Sequence, residues 1–246
     1  MTDFKDLFSR DSRSYAEFRP RYPAALFDWL AESSPGQALA WDAGTGSGQA
    51  AVELARHFAR VIASDPSDKQ LANAVAVPRV EYRIAGETAG LAPASADLAT
   101  VAQALHWFDR TKYWNEVKRV VRPGGVVAVW CYELQQVAPD IDAIIKRFYR
   151  ETVGPYWTPE RKLVEQGYRT VEFPFAEFAA PSFGMTTEWS LQQELGYLGT
   201  WSAVGRYRDA VGRDPLPLVA ADLEASWGSE RVRKVSWPLF VRAGRV

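Results

Sequence analysis

The chain has 246 residues, with 29 Lys plus Arg against 30 Asp plus Glu and an apolar share of 47%. At about 150 residues per domain this is one large domain or one domain with an insertion, and the composition excludes a disordered or fibrous chain. The net charge of -1 is spread evenly over the two halves, which argues against a nucleic-acid partner. One cysteine, Cys131, cannot close an intrachain disulfide, the first residues lack the apolar stretch of a signal peptide, and no apolar run approaches the ~20 residues that span a bilayer. The expectation is a cytoplasmic protein with no membrane partner. Ten tryptophans are present, eight of them at position 107 or later. They form either a dense aromatic core or the lining of a pocket.

Short runs rich in Val, Ala and Ile, each of strand length, occur at 38–41, 61–63, 80–84, 98–102 and 126–131. Helical periodicity fills the gaps at 49–58, 68–77 and 111–121. This alternation, with strands apolar on both sides, predicts an α/β fold whose parallel sheet is covered by helices on both faces. Arg122, Pro123, Gly124 and Gly125 read as a break before the fifth strand. After Tyr132 the rhythm changes to helical stretches around 141–149, 188–198 and 216–227, punctuated by Pro155, Pro159, Pro174 and Pro181, and the run at 235–241 returns to strand character. The simplest reading is an insertion between the fifth strand and a C-terminal strand. The expected organisation is a lid and helix at 1–34, a ligand-binding core at 35–132, a mostly helical cap at 133–230 and a closing strand at 231–246.

The strongest motif is Asp42-Ala43-Gly44-Thr45-Gly46-Ser47-Gly48, placed between a strand and a helix. Glycines there permit positive φ and close approach of a ligand to the backbone, while helix N–H groups face an anionic group. The dinucleotide fingerprint G-x-G-x-x-G fails, because its third position is Gln49. Asp65 ends the second strand, where an acid accepts the hydroxyls of a ribose, although Pro66 and Ser67 make helix capping an alternative. Of the two histidines, His57 falls on a surface helix. His106 follows the fourth strand at the end where parallel sheets bind ligands, and it lines a site, transfers a proton or is structural.

These residues resemble the class I S-adenosylmethionine-dependent methyltransferases. The likeness runs through Asp42, Gly44, Gly46 and Gly48, Asp65, Gly86-Glu87, and the segment from Asp97 to Asp109 containing Gln103-Ala104-Leu105-His106-Trp107-Phe108. That last string, with Arg19-Pro20-Arg21-Tyr22-Pro23 and Gly196-Tyr197-Leu198, looks like the branch that includes trans-aconitate methyltransferase. The resemblance implies a doubly wound, mostly parallel seven-stranded Rossmann-like sheet and S-adenosyl-L-methionine as cofactor. It implies Asp42, Gly44, Thr45 and Gly46 around the methionine portion, Asp65 at the ribose, Glu87 at the adenine edge or capping a helix, Gln103 and Ala104 beneath the sulfur, and Tyr15 in a lid. Arg19, Tyr22, His106, Trp107, Trp201 and Arg206, with Tyr207 nearby, are the candidates facing the acceptor. Arg19, Arg21, Arg169 and Arg206 form a pool of cations for a carboxylate.

The reaction expected is methylation of a small molecule, with no metal needed and a carboxylic acid as the acceptor. A hydroxyl or amine acceptor, which would call on His106 as base, is the alternative. A nicotinamide oxidoreductase and a non-catalytic ligand-binding protein are the readings from other classes.

Overall fold

The computed structural model describes residues 19–246, so Tyr15 and the first part of the expected lid lie outside the described residues. The described residues open with α1 (Ala24–Ser33). It then alternates β1 (Leu39–Ala43), α2 (Gln49–Leu54), β2 (Arg60–Asp65), α3 (Asp68–Leu71), β3 (Val80–Ile84), β4 (Ala96–Ala102), α4 (Arg110–Val120) and β5 (Val121–Tyr132). The remainder comprises α5 (Pro139–Arg147), α6 (Arg161–Glu165), β6 (Ala176–Phe178), β7 (Phe183–Trp189), α7 (Leu191–Gly199), α8 (Ser202–Val211), α9 (Pro217–Trp227) and β8 (Arg233–Arg245).

The sheet order is β3-β2-β1-β4-β5-β8-β6, with β1 to β5 parallel and β8 antiparallel to β5. Strand alternation divides the core between the two faces. Val126, Ala128, Trp130 and Tyr132 of β5 pack with α1 and α2, whereas Val127, Val129 and Cys131 pack with α4 and Val164 of α6. Helix α4 shows why its segment folds as it does: the Asp109 side chain accepts the Lys112 N–H at the N-terminus, Tyr113, Trp114, Val117 and Val120 share the buried face, and Lys118 and Arg119 close the last turn. At the opposite end of the sheet from the loops, buried Asp97 accepts the Ala38 and Leu39 N–H groups and pairs with Arg122 at 3.1 Å, joining the starts of β1, β4 and β5.

Three local readings are corrected. Residues 122–125 do not interrupt the chain; they are a bulge within β5, because Val121 pairs with Ala96 and Val126 with Leu98, and Gly124 takes φ +78° to absorb the extra residues. The helix expected from 188 begins at 191, since Glu188 and Trp189 finish β7, which pairs along Phe183↔Leu239 to Trp189↔Arg233. Its Ser190–Gln193 capping box sets that boundary. Strands β6 and β7 pair with opposite ends of β8, so one edge position of the sheet is filled by two short strands, which makes eight strands in seven positions. The tryptophans serve both ends: Trp189 and Trp237 pack edge-on or tilted against each other and Tyr197 in the core, while Trp107, Trp157 and Trp201 reach a cavity.

Glu194 of α7 is fully buried. Gln135 Nε2 donates to its Oε1, while its Oε2 has no partner among the described residues. Desolvation lifts this carboxyl to about 7, so the native state prefers the proton, and stability present below the ordinary glutamate range is lost as pH rises toward 7. Glu194→Gln is therefore expected to be near neutral at pH 5 and to stabilise the protein at pH 8, by up to about 3 kcal/mol. Thermal melts of both proteins at the two pH values measure the difference.

Candidate active site

All the loops at the C-terminal ends of β1 to β5 converge on one cavity of about 830 Å³, where the strand order reverses between β1 and β4. Crevices at this point of an open α/β sheet bind ligands, because helices leave in opposite directions from neighbouring strands. One half of the cavity is the glycine loop. Gly44, Gly46 and Gly48 all have positive φ, +65°, +57° and +85°. The reasons differ. A Cβ on Gly44 would stand 2.7 Å from Ala104 Cβ and 3.1 Å from the Phe108 ring, whereas a Cβ on Gly46 would meet only Gln70 Oε1 at 3.9 Å. Gly44 thus closes packing between β1 and the turn after β4, and Gly46 keeps open space.

Asp42 does not line the cavity. It lies beneath the loop with no exposure, accepting hydrogen bonds from Thr45 Oγ1 at 2.6 Å and Thr100 Oγ1 at 2.7 Å, and burial lifts its carboxyl to about 6. Asp65 does line it. Its Oδ2 accepts the Gly46 N–H and its Oδ1 the Ser67 N–H, both at 2.9 Å, so it ties the glycine loop to the β2–α3 turn, while Ser67 itself caps α3. Glu87 likewise lines the cavity and accepts the Asp109 N–H at 3.0 Å, bracing the entrance to α4.

The floor is made by Gln103 and Ala104. Gln103 adopts φ +55°, and its side-chain amide pairs with both backbone groups of Tyr132, donating to the carbonyl at 3.2 Å and accepting the N–H at 2.9 Å. It prolongs the β4–β5 ladder after the strand has turned away. The 3-10 turn Leu105–Trp107 follows and carries His106, whose Nδ1 lies 2.8 Å from Tyr168 Oη. Burial, with Arg161 nearby, pushes the imidazolium down to about 3, so this histidine is neutral throughout the neutral range.

The other half is aromatic. Tyr22, Tyr132, Trp157, Tyr197 and Trp201 line it with Trp107 and with two guanidinium groups, those of Arg19 and Arg161. Arg19 donates to Tyr132 Oη at 2.8 Å and lies over the Tyr197 ring. Arg161 lies 4.9 Å from the Trp157 ring centre, and its Nε donates to Tyr149 Oη at 2.9 Å; it makes no salt bridge among the described residues. Glu133 and Glu160 line the same half, and burial raises the Glu133 carboxyl above its usual range.

Of the residues singled out in the sequence, Arg19, Tyr22, Gly44, Thr45, Gly46, Asp65, Glu87, Gln103, Ala104, His106, Trp107 and Trp201 meet at this cavity. Arg206 does not: it donates to the Tyr156 carbonyl at 3.4 Å, and Tyr207 packs on Tyr156. Arg21 is on the surface and Arg169 lies over Phe240. Arg161 takes their place, and no local signal in its proline-punctuated segment announces it. His57 lies 3.5 Å from Asp28, away from the cavity. No cluster of three metal-ligating side chains, and no helix long and apolar enough to cross a membrane, occurs among the described residues.

A glycine loop after β1, an acid at the end of β2 and a cavity at the switch point define a doubly wound α/β fold with a ligand crevice at the carboxyl ends of its strands. Residues 41–129 match the methyltransferase domain family. A methyltransferase of Dictyostelium discoideum is 34% identical over 98% of this chain and 95% of its own length. A solved methyltransferase of Anaeromyxobacter dehalogenans is 49% identical, with a TM-score of 0.86 over 92% of this chain and 97% of that one. A Haemonchus contortus phosphoethanolamine N-methyltransferase, solved with S-adenosylhomocysteine, shares the fold alone, at 15% identity and a TM-score of 0.50, over this whole chain and 61% of that one. The chain belongs to the methyltransferase domain family, and it is a methyltransferase with S-adenosylmethionine as cofactor.

The two loop glycines differ in what an added side chain would meet, packed neighbours at Gly44 and open cavity at Gly46. Gly44→Ala is expected to lower stability by about 1–3 kcal/mol, because a left-handed backbone and a blocked Cβ coincide. Gly46→Ala carries the backbone strain without the clash and projects its methyl into the cavity. Thermal unfolding without ligand should rank Gly44→Ala as the less stable, and calorimetry with S-adenosylmethionine should find a clear loss of affinity in Gly46→Ala.

Proposed function

We propose that the enzyme methylates an oxygen of a small organic acid, with the glycine-loop half of the cavity holding the cofactor and the aromatic half holding the acceptor. The observation that carries the acceptor reading is Arg161, a cavity-lining guanidinium flanked by Trp157 and Tyr149 rings, which makes no salt bridge among the described residues and whose charge also acts on Glu133 of the same half. A planar guanidinium in a low-dielectric, aromatic setting favours a bound carboxylate. The cavity volume suits a cofactor with a small acceptor.

The residues fit the cofactor on three counts. Asp65 is a cavity-lining carboxylate at the end of β2, an acceptor of the kind a ribose calls for. Glu87 stands at the neighbouring strand end for an adenine. Asp42 is a buried carboxyl lifted to about 6, still largely ionised at neutral pH, so a cationic group in the loop above offsets its burial. When bound, S-adenosylmethionine supplies a sulfonium-activated methyl, whose transfer to a carboxylate oxygen forms the O–C bond as the S–C bond breaks and releases no proton. The protein's work is then positioning and exclusion of water, and proximity can supply up to roughly 7 to 11 kcal/mol. Gln103 and Ala104 give a fixed floor, Arg161 orients the acid, and Arg19 with Tyr22 covers the cavity from the N-terminal side.

Glu133 favours a second reading. It lines the acceptor half with a raised pKa, which is the setting of a base for a hydroxyl acceptor. The two readings part in one variant. Under the acid reading Glu133→Gln keeps kcat within about 3-fold, and under the hydroxyl reading it loses roughly 100-fold.

Asp65→Asn is expected to weaken S-adenosylmethionine by about 1.5–3 kcal/mol and also to cost some stability, because an amide cannot accept both loop N–H groups as a carboxylate does. Calorimetry and a thermal melt of the same sample read the two effects. Arg161→Gln should leave cofactor affinity unchanged while raising the acceptor KM about 10- to 100-fold, the loss of a charge-assisted hydrogen bond. A mass-spectrometric screen of small carboxylic acids for methyl esters supplies the acceptor; a screen yielding methyl ethers or methylamines instead would overturn the acid reading.

A further inference from the structure

Tyr168 belongs to no catalytic motif and does not line the cavity, yet it is bound to a residue that does. It follows α6 in a left-handed conformation, φ +56°, and is 1% exposed. Its side chain runs beneath the turn after β4, and Oη lies 2.8 Å from His106 Nδ1. Two proton arrangements satisfy that distance. In the first, Nδ1–H donates to the phenol oxygen, and the phenol's own O–H is left inside the protein without an acceptor. In the second, the phenol donates to an unprotonated Nδ1, and the oxygen remains open to the backbone amides of Leu105 and His106, which act on it. An orphaned buried donor costs more than the bond it would replace, so the second arrangement wins.

A neutral imidazole with Nδ1 as acceptor carries its hydrogen on Nε2. That nitrogen has no protein partner among the described residues and is not sealed within the core, and the ring lines the cavity. Around the ring stand Tyr168 and Trp107, with Arg161 of α6 as the charged neighbour that acts on it.

We propose that Tyr168 is a positioning residue that holds His106 as the Nε2–H tautomer, so that His106 meets the acceptor as a hydrogen-bond donor and not as a base. This rests on the reading of the aromatic half as the acceptor site and sharpens it. Nε2–H and the Arg161 guanidinium are two donors facing one cavity, and they select an acceptor molecule that offers an anionic or carbonyl oxygen. Neither of these two groups accepts a hydrogen bond from an ammonium or serves as base to an amine, which would have only the carboxylates of Glu133 and Glu160 to meet in this half.

The tautomer is measured directly by long-range proton–nitrogen NMR of protein labelled with 15N-histidine. Only two histidines contribute, and a His57→Gln sample assigns them. The expected wild-type result is a single Nε2–H form of His106 that does not titrate between pH 5 and pH 9. An Nδ1–H form, or a titration in that range, overturns the proposal whether or not any variant folds. In Tyr168→Phe the Nδ1–H form should become populated, with the acceptor KM raised about 10-fold and kcat within about 3-fold; an unchanged tautomer in a folded variant also overturns it. Succinate added to protein saturated with S-adenosylhomocysteine probes the underlying reading on its own. A shift of the Nε2 resonance supports the acceptor site, and no shift counts against that site while leaving the tautomer result to stand by itself.

Discussion

The glycine-loop end of the cavity is organised around a carboxylate that never touches solvent. Asp42 leaves β1 where the sheet reverses its order, and its two oxygens take the hydroxyls of Thr45 in the loop and Thr100 in β4. Two short hydroxyl bonds offset much of the cost of burying a charge, and they succeed only if the loop and the neighbouring strand keep their relative positions. The loop held in this way places the Gly46 N–H at the Asp65 carboxylate and the Thr45 N–H at the Ser64 carbonyl. β1, β2 and β4 are thereby locked at their ligand-facing ends by side chains as well as by the ladder. The open space above Gly46 is a consequence of that framework.

The same logic recurs across the cavity, where polar side chains substitute for backbone that has departed. Gln103 continues the β4–β5 ladder with its amide, Glu87 holds the Asp109 N–H, and Tyr168 holds an imidazole from behind. Each such group fixes a cavity wall without occupying the cavity. The aromatic half is built differently, from rings that touch one another: Trp201 meets Phe148, Tyr149, Trp157 and Tyr197. Large rigid surfaces leave little freedom for the two guanidinium groups seated among them, which keeps their charge directed at one place.

Much of this was legible in the chain order of residue types. Strand and helix alternation from 38 to 131 reports a doubly wound sheet because buried parallel strands must be apolar on both sides, a constraint that acts locally. The glycine loop is readable for a similar reason, since three positive-φ positions within five residues admit little else. Strand β7 was missed because its alternation, Phe183 to Trp189, is interleaved with the polar residues of an edge strand, and it runs straight into a capped helix. The helical stretch it was merged with obeys the same hydrophobic count.

The sequence by itself therefore determined the parallel strands β1 to β5, the loop, the acid at the end of β2 and the family likeness, because each depends on neighbours a few residues away. Only the tertiary structure decided that Arg161 and not Arg206 faces the cavity, for the two are indistinguishable in local pattern, and the choice is made by how α6 and α8 pack. It also decided what stands behind His106. A histidine at the end of a strand carries no record of whether it accepts or donates; on our proposal that is set by a tyrosine 62 residues later in the chain, which the fold brings to its back.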